Sequence, residues 1–163
     1  MLNKVNVNIP IRCKDLTEDK QAKLPTKKMG DVGWDLYCIP DDMWHHSYLN
    51  GPDLYFELAP KRRHIFHTGI SMAIPQGYAG FIWDRSGLSA KKGVHRLAGV
   101  IDSSYRGEIL ICLVNLGKET VLIEKHDRIA QMIIQKEEPC TMTWSDSLSE
   151  SNRGEKGFAS SGR

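Results

Sequence analysis

Residues 99–115, GVIDSSYRGEILICLVN, hold the two signals on which the fold turns. The second half, EILICLVN (108–115), reads as a buried β-strand, and the apolar run ILICLVNL (109–116) is far too short to cross a bilayer. The first half has strand-like ends but carries Asp102, Ser103, Ser104, Tyr105 and Arg106 between them. Strand-like flanks around such a polar core describe a β-hairpin whose tip leaves Asp102 and Tyr105 facing a cleft. An ordinary hairpin with an Asx-turn would leave the same pattern.

Working outward, the strand signal repeats. VNVNIPIR alternates Val5, Val7, Ile9 and Ile11 with polar neighbours, and Pro10 favours a sheet edge. DLYFELA (53–59), HIFHTGISMAI (64–74), YAGFIW (78–83), ETVLIE (119–124), RIAQMIIQ (128–135) and CTMTW (140–144) are short, β-branched or aromatic, and separated by turn residues. This spacing predicts an all-β sandwich or barrel-like fold. Only RSGLSAKKG (85–93) reads as helical, with Ser86 placed to cap it and Gly93 to end it. DDMWHHSYLNGPD (41–53) reads as a surface loop, because adjacent His45 and His46 cannot share a face.

The chain has 163 residues, a single-domain length. Its 22 basic and 20 acidic side chains are mixed along the sequence, so no field suited to stable nucleic-acid binding is built. Cys13, Cys38, Cys112 and Cys140 lack any C-x-x-C or zinc spacing and read as reduced thiols. The opening MLNKVNVNIP lacks the apolar segment of a signal peptide and no run is long enough for a membrane span. The expectation is a soluble protein of the cytoplasm or nucleus.

From Ser145 the composition shifts to Ser, Gly and charge, with Phe158 as the single aromatic residue. Such a segment cannot hold itself folded. It reads either as a disordered tail or as an arm that orders on a ligand, dividing the chain into a β domain (1–144) and an arm (145–163).

RSGL sets a guanidinium, a hydroxyl and a flexible backbone at the start of the predicted helix, a combination suited to phosphate. The tail repeats the theme with Arg153, Phe158, Ser160 and Ser161, which supply a cation, a ring able to stack on a base, and hydroxyl donors.

GWDL (33–36), RSGLSAKKG (85–93), GVIDSSYRG (99–107), DRIAQ (127–131) and RGEKGFASSG (153–162) occur in this order, and together they resemble the five motifs of the trimeric dUTPase family. The resemblance runs from about Lys23 to the end of the chain. It implies a distorted β jelly roll with one short helix and a flexible C-terminal arm. It also implies a homotrimer, and hydrolysis of dUTP to dUMP and pyrophosphate with Mg²⁺, which limits uracil incorporation into DNA and supplies dUMP for thymidylate synthesis. Each active site would draw on three subunits: GWDL, RSGL and DRIAQ from one, GVIDSSYRG from a second, the arm from a third.

By the same resemblance, Asp102 orients and deprotonates the attacking water and Tyr105 lies under the deoxyribose, leaving no room for a 2′-hydroxyl. Uracil pairs with backbone near Leu97 and Gly99. Arg85, Ser86 and Gly87 bind the phosphate chain with help from Gln131, and Asp35 holds water of the Mg²⁺ shell. Arg153, Ser160 and Ser161 grip the γ-phosphate while Phe158 stacks over uracil. Asp127 and Arg128 are expected to form a structural ion pair behind Gln131.

The sequence departs from the family pattern at several positions. Ser104 stands where a second acid is frequent, Asp84 where Pro is, Trp34 where Tyr is, and His126 where Gly is. In the arm, Lys156 and Ala159 replace glycines and Ser161 replaces Thr. The related dCTP deaminase branch needs a Glu where this chain has Cys112, and a thiol offers no general base for deamination. A non-catalytic nucleotide-binding protein is the alternative from a different class.

Overall fold

The computed structural model describes residues 7–13, 22–46, 54–152 and 154–155. Among them the chain forms β1 (Ile11–Cys13), β2 (Trp34–Tyr37), β3 (His45–His46), β4 (Leu54–Leu58), β5 (Arg63–Phe66), β6 (Ile70–Met72) and β7 (Tyr78–Trp83). The helix α1 (Ser86–Lys92) follows, then β8 (Val94–Leu97), β9 (Val100–Ile101), β10 (Ile111–Asn115), β11 (Val121–Glu124) and β12 (Arg128–Lys136). The architecture is all-β apart from α1, as the strand spacing predicts.

Four antiparallel sheets, ordered β1-β6, β5-β10-β8, β11-β4-β3 and β2-β12-β7-β9, enclose one core. Period-two alternation explains how. In β10, Ile111, Leu113 and Asn115 point inward while Cys112 and Val114 face partly out, and β11 alternates Val121 and Ile123 inward in the same way. Leu36, Phe66, Ile109, Ile123 and Ala130 are fully enclosed, and burying a large aliphatic or aromatic side chain contributes about 1.5–3 kcal/mol.

Asn115, with Thr68, is one of two buried polar residues among those described. Its Nδ2 donates to the main-chain oxygens of Leu58 and Glu119, each at 2.8 Å, and its Oδ1 accepts from Gly117 N–H at 2.8 Å. A fully bonded amide is tolerated where a bare one is not. Beside it, Gly93 ends α1 at φ 70°, and a Cβ there would lie 2.7 Å from Gly117 N. Glycine is therefore required twice over, by conformation and by space.

Several expectations are corrected. The N-cap of α1 is Arg85, whose side chain makes no capping hydrogen bond to the helix, so Ser86 is the first helical residue rather than the cap. Residues 64–74 form two strands, because the carboxylate of Glu108 accepts from Thr68 N–H (3.2 Å) and Gly69 N–H (2.8 Å) and Gly69 turns at φ 69°. His45 and His46 leave the expected loop to pair with Tyr55 and Leu54. Residues 140–144 form no strand, and Met142 and Trp144 are fully exposed. The signal at Val5 falls outside the described residues, and the strand there begins only at Ile11.

The stretch 99–109 is not a hairpin among the described residues. β8 pairs with β10 in one sheet and β9 pairs with β7 in another, so Ala98 (φ 63°) and Gly99 (φ 144°) turn a corner between sheets. Gly99 O accepts from Ile82 N–H at 2.7 Å, holding the near flank on β7, while Ile109 N–H donates to Ile70 O at 2.8 Å, drawing the far flank towards β6. His126 adopts φ 67°, a conformation that glycine takes without strain, which accounts physically for the glycine usual at that position.

Candidate active site

Four segments meet in one cleft of about 600 Å³: the loop before β2, β2 itself, the start of α1, and β12. Asp35, Arg85, Ser86 and Gln131 all line it, so four of the expected site residues are brought together. Arg85 Nε donates to Asp35 Oδ1 at 2.8 Å, and Arg128 donates to Asp35 Oδ2 at 3.2 Å. The second arm of the Arg85 guanidinium donates to the main-chain oxygen of Arg128 at 3.1 Å. Asp35 therefore sits between two guanidiniums and fixes both.

Arg128 reaches the cleft through an irregularity in β12. Residues three apart on a regular strand face opposite sides, yet Arg128 and Gln131 line the same cleft. The register against β2 shifts between Arg128 and Ala130, leaving Ile129 and Ala130 both buried in succession. This β-bulge turns Arg128 to the side of Gln131. The expected Asp127–Arg128 ion pair does not form: Arg128 is engaged with Asp35, and Asp127 Oδ2 accepts from Glu124 N–H at 3.0 Å.

Gln131 is held on two sides. Its Nε2 donates to the main-chain oxygen of Asp84 at 2.8 Å, and a side chain on Gly33 would collide with its amide. That glycine, with Thr26, Lys27, Lys28 and Asp31, also lines the cleft. Sequence reasoning gave these residues and Arg128 no binding role, although the run TKKMGDV (26–32) places two lysines and a glycine just ahead of GWDL. Lys27 is oriented by the ring of Trp34, with its Nζ 4.7 Å from the centroid. Lys27, Lys28, Arg85 and Arg128 outnumber Asp31 and Asp35, so the cleft favours an anion.

The remaining expected residues lie elsewhere. Gly87 is the second residue of α1, with open space where a Cβ would stand. Leu97 and Gly99 flank the corner between β8 and β9. Asp102 is exposed on the turn after β9, where Tyr105 N–H donates to Asp102 O at 3.1 Å. Tyr105 is 41% exposed, and its hydroxyl donates to Glu108 O at 2.8 Å. A side chain on Gly107 would strike the phenol ring. Neither Asp102 nor Tyr105 lines the cleft of its own chain. Arg153, Phe158, Ser160 and Ser161 lie outside the described residues.

The cysteines play no part in this cleft. Cys38 is wholly buried, which pushes its thiol up, and it donates to Glu124 O at 3.2 Å. No group of three or more His, Cys, Asp or Glu side chains able to hold a metal occurs among the described residues, and none of their helices is long and apolar enough to cross a membrane.

The sequence matches the dUTPase family model over residues 52–162. The deoxyuridine 5'-triphosphate nucleotidohydrolase of Corynebacterium glutamicum is 38% identical over 149 residues, spanning 89% of this chain and 91% of its own. That of Vaccinia virus is 38% identical over 159 residues, 97% of each chain. A point variant of the Staphylococcus bacteriophage 80alpha dUTPase, solved with dUpNHpp, shares the fold with a TM-score of 0.75 at 25% identity, covering 97% of this chain and 100% of that one. The jelly-roll arrangement, the cleft built on GWDL, RSGL and DRIAQ, and these relatives agree: the chain belongs to the dUTPase family.

Proposed function

We propose that this chain hydrolyses dUTP to dUMP and pyrophosphate, limiting uracil incorporation into DNA and supplying dUMP for thymidylate synthesis. The observation that carries this is the grouping of Asp35, Arg85, Ser86 and Gln131 in one cation-rich cleft, in a chain of this family. Arg85, Ser86 and the open backbone at Gly87 take the phosphate chain, and Gln131, pinned to Asp84, assists from β12. Donors fixed before the reaction stabilise developing charge without reorganising.

Asp102 takes a proton from water as its oxygen attacks the α-phosphorus. The bond from that phosphorus to its bridging oxygen breaks, and pyrophosphate departs. Tyr105, held by its bond to Glu108 O, packs beneath the sugar and leaves no space for a 2′-hydroxyl. Main-chain groups at Leu97 and Gly99 pair with uracil. Arg153, Ser160 and Ser161 hold the γ-phosphate and Phe158 covers the base, as the closing arm 145–163.

Asp35 shares the cleft with Asp31, no cluster of three metal ligands forms there among the described residues, and both Asp35 oxygens already accept from arginines. Such a donor fits a Mg²⁺ that keeps its waters and takes its direct ligands from substrate phosphates. When bound, Mg²⁺ supplies neutralising charge to the triphosphate. Asp35 would hold water of the Mg²⁺ shell while continuing to fix Arg85.

Asp102 and Tyr105 stand away from the cleft of their own chain, which supports a homotrimer with shared sites. An apolar row across the outer face of the β5-β10-β8 sheet, formed by Ile65, Cys112 and Leu97 in register, supports association too. Ile65 is 52% and Leu97 37% exposed, an expensive arrangement for a chain that stays alone.

The deciding assay is pyrophosphate release from dUTP with Mg²⁺, run beside dCTP, dTTP and UTP. Release from dUTP alone is expected. Binding of dUTP without release would move the protein to the nucleotide-binding, non-catalytic class.

A further inference from the structure

The turn ahead of β2 brings two lysines to the phosphate cleft, on the same chain as Arg85 and Gln131. Thr26 N–H donates to Asp35 O at 3.3 Å and Thr26 O accepts from Asp35 N–H at 2.7 Å. The backbone just before Lys27 is therefore tied to the residue that fixes both arginines. After Lys28 the chain closes a tight turn. Asp31 N–H donates to Lys28 O at 3.1 Å, Lys28 N–H donates to Asp31 Oδ2 at 3.2 Å, and Gly30 takes φ 90° between them. Both lysines are thus carried on a braced backbone.

The charges lining the cleft are unevenly committed. Arg85 and Arg128 both donate to Asp35. Neither lysine side chain is paired with a carboxylate among the described residues, and one oxygen of Asp31 is engaged in the turn. Lys27 Nζ rests 4.7 Å from the centre of the Trp34 ring, a contact that restrains the long side chain without cancelling its charge. Trp34 stands where the resemblance has Tyr, and an indole attracts a cation more strongly than a phenol does. Both lysines are exposed, so an anion arriving from solvent meets them directly.

We propose that Lys27 and Lys28 form a further binding element for the two terminal phosphates of the substrate, and that the cleft therefore takes inorganic pyrophosphate as a ligand in its own right. This rests on the proposed hydrolysis of dUTP and extends it to the leaving group. A triphosphate with one divalent cation keeps a surplus of negative charge. Among the described residues lining the cleft, these lysines are the cations beyond the two arginines held by Asp35. The α-phosphorus must lie where Asp102 of another subunit reaches its water, so the cations on the exposed lip fall to the phosphates that leave. An ammonium on a flexible stem meets phosphate as a point charge, which suits a group that is held during the reaction and released after it.

The test is calorimetric binding of inorganic pyrophosphate, and separately of dUMP, to the full chain with Mg²⁺. Wild type is compared with the pair Lys27→Gln and Lys28→Gln, and with the pair Lys27→Arg and Lys28→Arg; KM and kcat for dUTP are measured beside them. The Gln pair is expected to weaken pyrophosphate binding about tenfold, more at low salt than at high, and to raise KM for dUTP by a similar factor with a smaller change in kcat. Binding of dUMP, which lacks both terminal phosphates, should stay within about twofold. The Arg pair keeps the charge and should retain most of the affinity. Pyrophosphate binding unchanged in the Gln pair overturns the proposal. An equal loss for dUMP and pyrophosphate overturns it as well, because it marks a general disturbance of the cleft. A wild type that releases nothing from dUTP yet binds pyrophosphate through the lysines overturns the proposed hydrolysis and supports this element. An active wild type whose Gln pair matches it in KM and in pyrophosphate affinity overturns the element alone.

Discussion

Arg85 Nε and Asp35 Oδ1 are 2.8 Å apart, joining the cap of α1 to β2 across a span of 50 residues. Both side chains are about three-quarters shielded from solvent, so the pair holds the guanidinium in one place before a ligand arrives. Arg85→Ala should therefore lower kcat/KM for dUTP about 10²–10³-fold, the range for loss of one preorganised donor. Arg85→Lys, which keeps charge but not the fork, should recover little of it. Steady-state pyrophosphate release measures both.

Asp102→Asn removes a proton acceptor from an exposed turn and disturbs no core contact. Turnover should fall about 10²–10⁴-fold while dUTP binding by calorimetry stays within a few-fold of wild type. Unchanged turnover would assign the base elsewhere.

Deleting residues 152–163 removes Arg153, Phe158, Ser160 and Ser161. The truncated chain should keep its oligomeric mass in light scattering and its thermal midpoint, yet lose kcat/KM. Full activity after truncation would rule out the closing arm.

Ile65→Glu places a charge in the exposed apolar row with Cys112 and Leu97. If the proposed trimer with shared sites holds, light scattering should report a shift from trimer to monomer, with activity lost in parallel. A trimeric, active variant would place the interface on another face.

Asn115→Asp sets a carboxylate against the Leu58 and Glu119 carbonyl oxygens that now accept from an amide. Two donor bonds become acceptor–acceptor contacts in a dry interior. A loss of about 3 kcal/mol in urea unfolding is expected.

The strand-like runs at 78–83, 119–124 and 128–135 were legible from sequence and form β7, β11 and β12. What escaped depends on partners remote in sequence. The break at Thr68 and Gly69 is imposed by Glu108, some 40 residues away. The corner at Ala98 and Gly99 exists because β8 and β9 pair with different strands, which no local pattern records. In the site, Arg85, Ser86, Asp35 and Gln131 could be named from their motifs. Arg128 could not, because the bulge at Ile129 reverses the face that alternation assigns to it.

The bond from Ile82 N–H to Gly99 O ties the corner to β7, whose Gly80 and Ile82 lie within the core against Ile74 and Met132. Under the proposed mode of base pairing, what the protein recognises is then inherited from how its interior packs. A change of packing at Ile82 would reach the base through this bond to Gly99 rather than through contact with it.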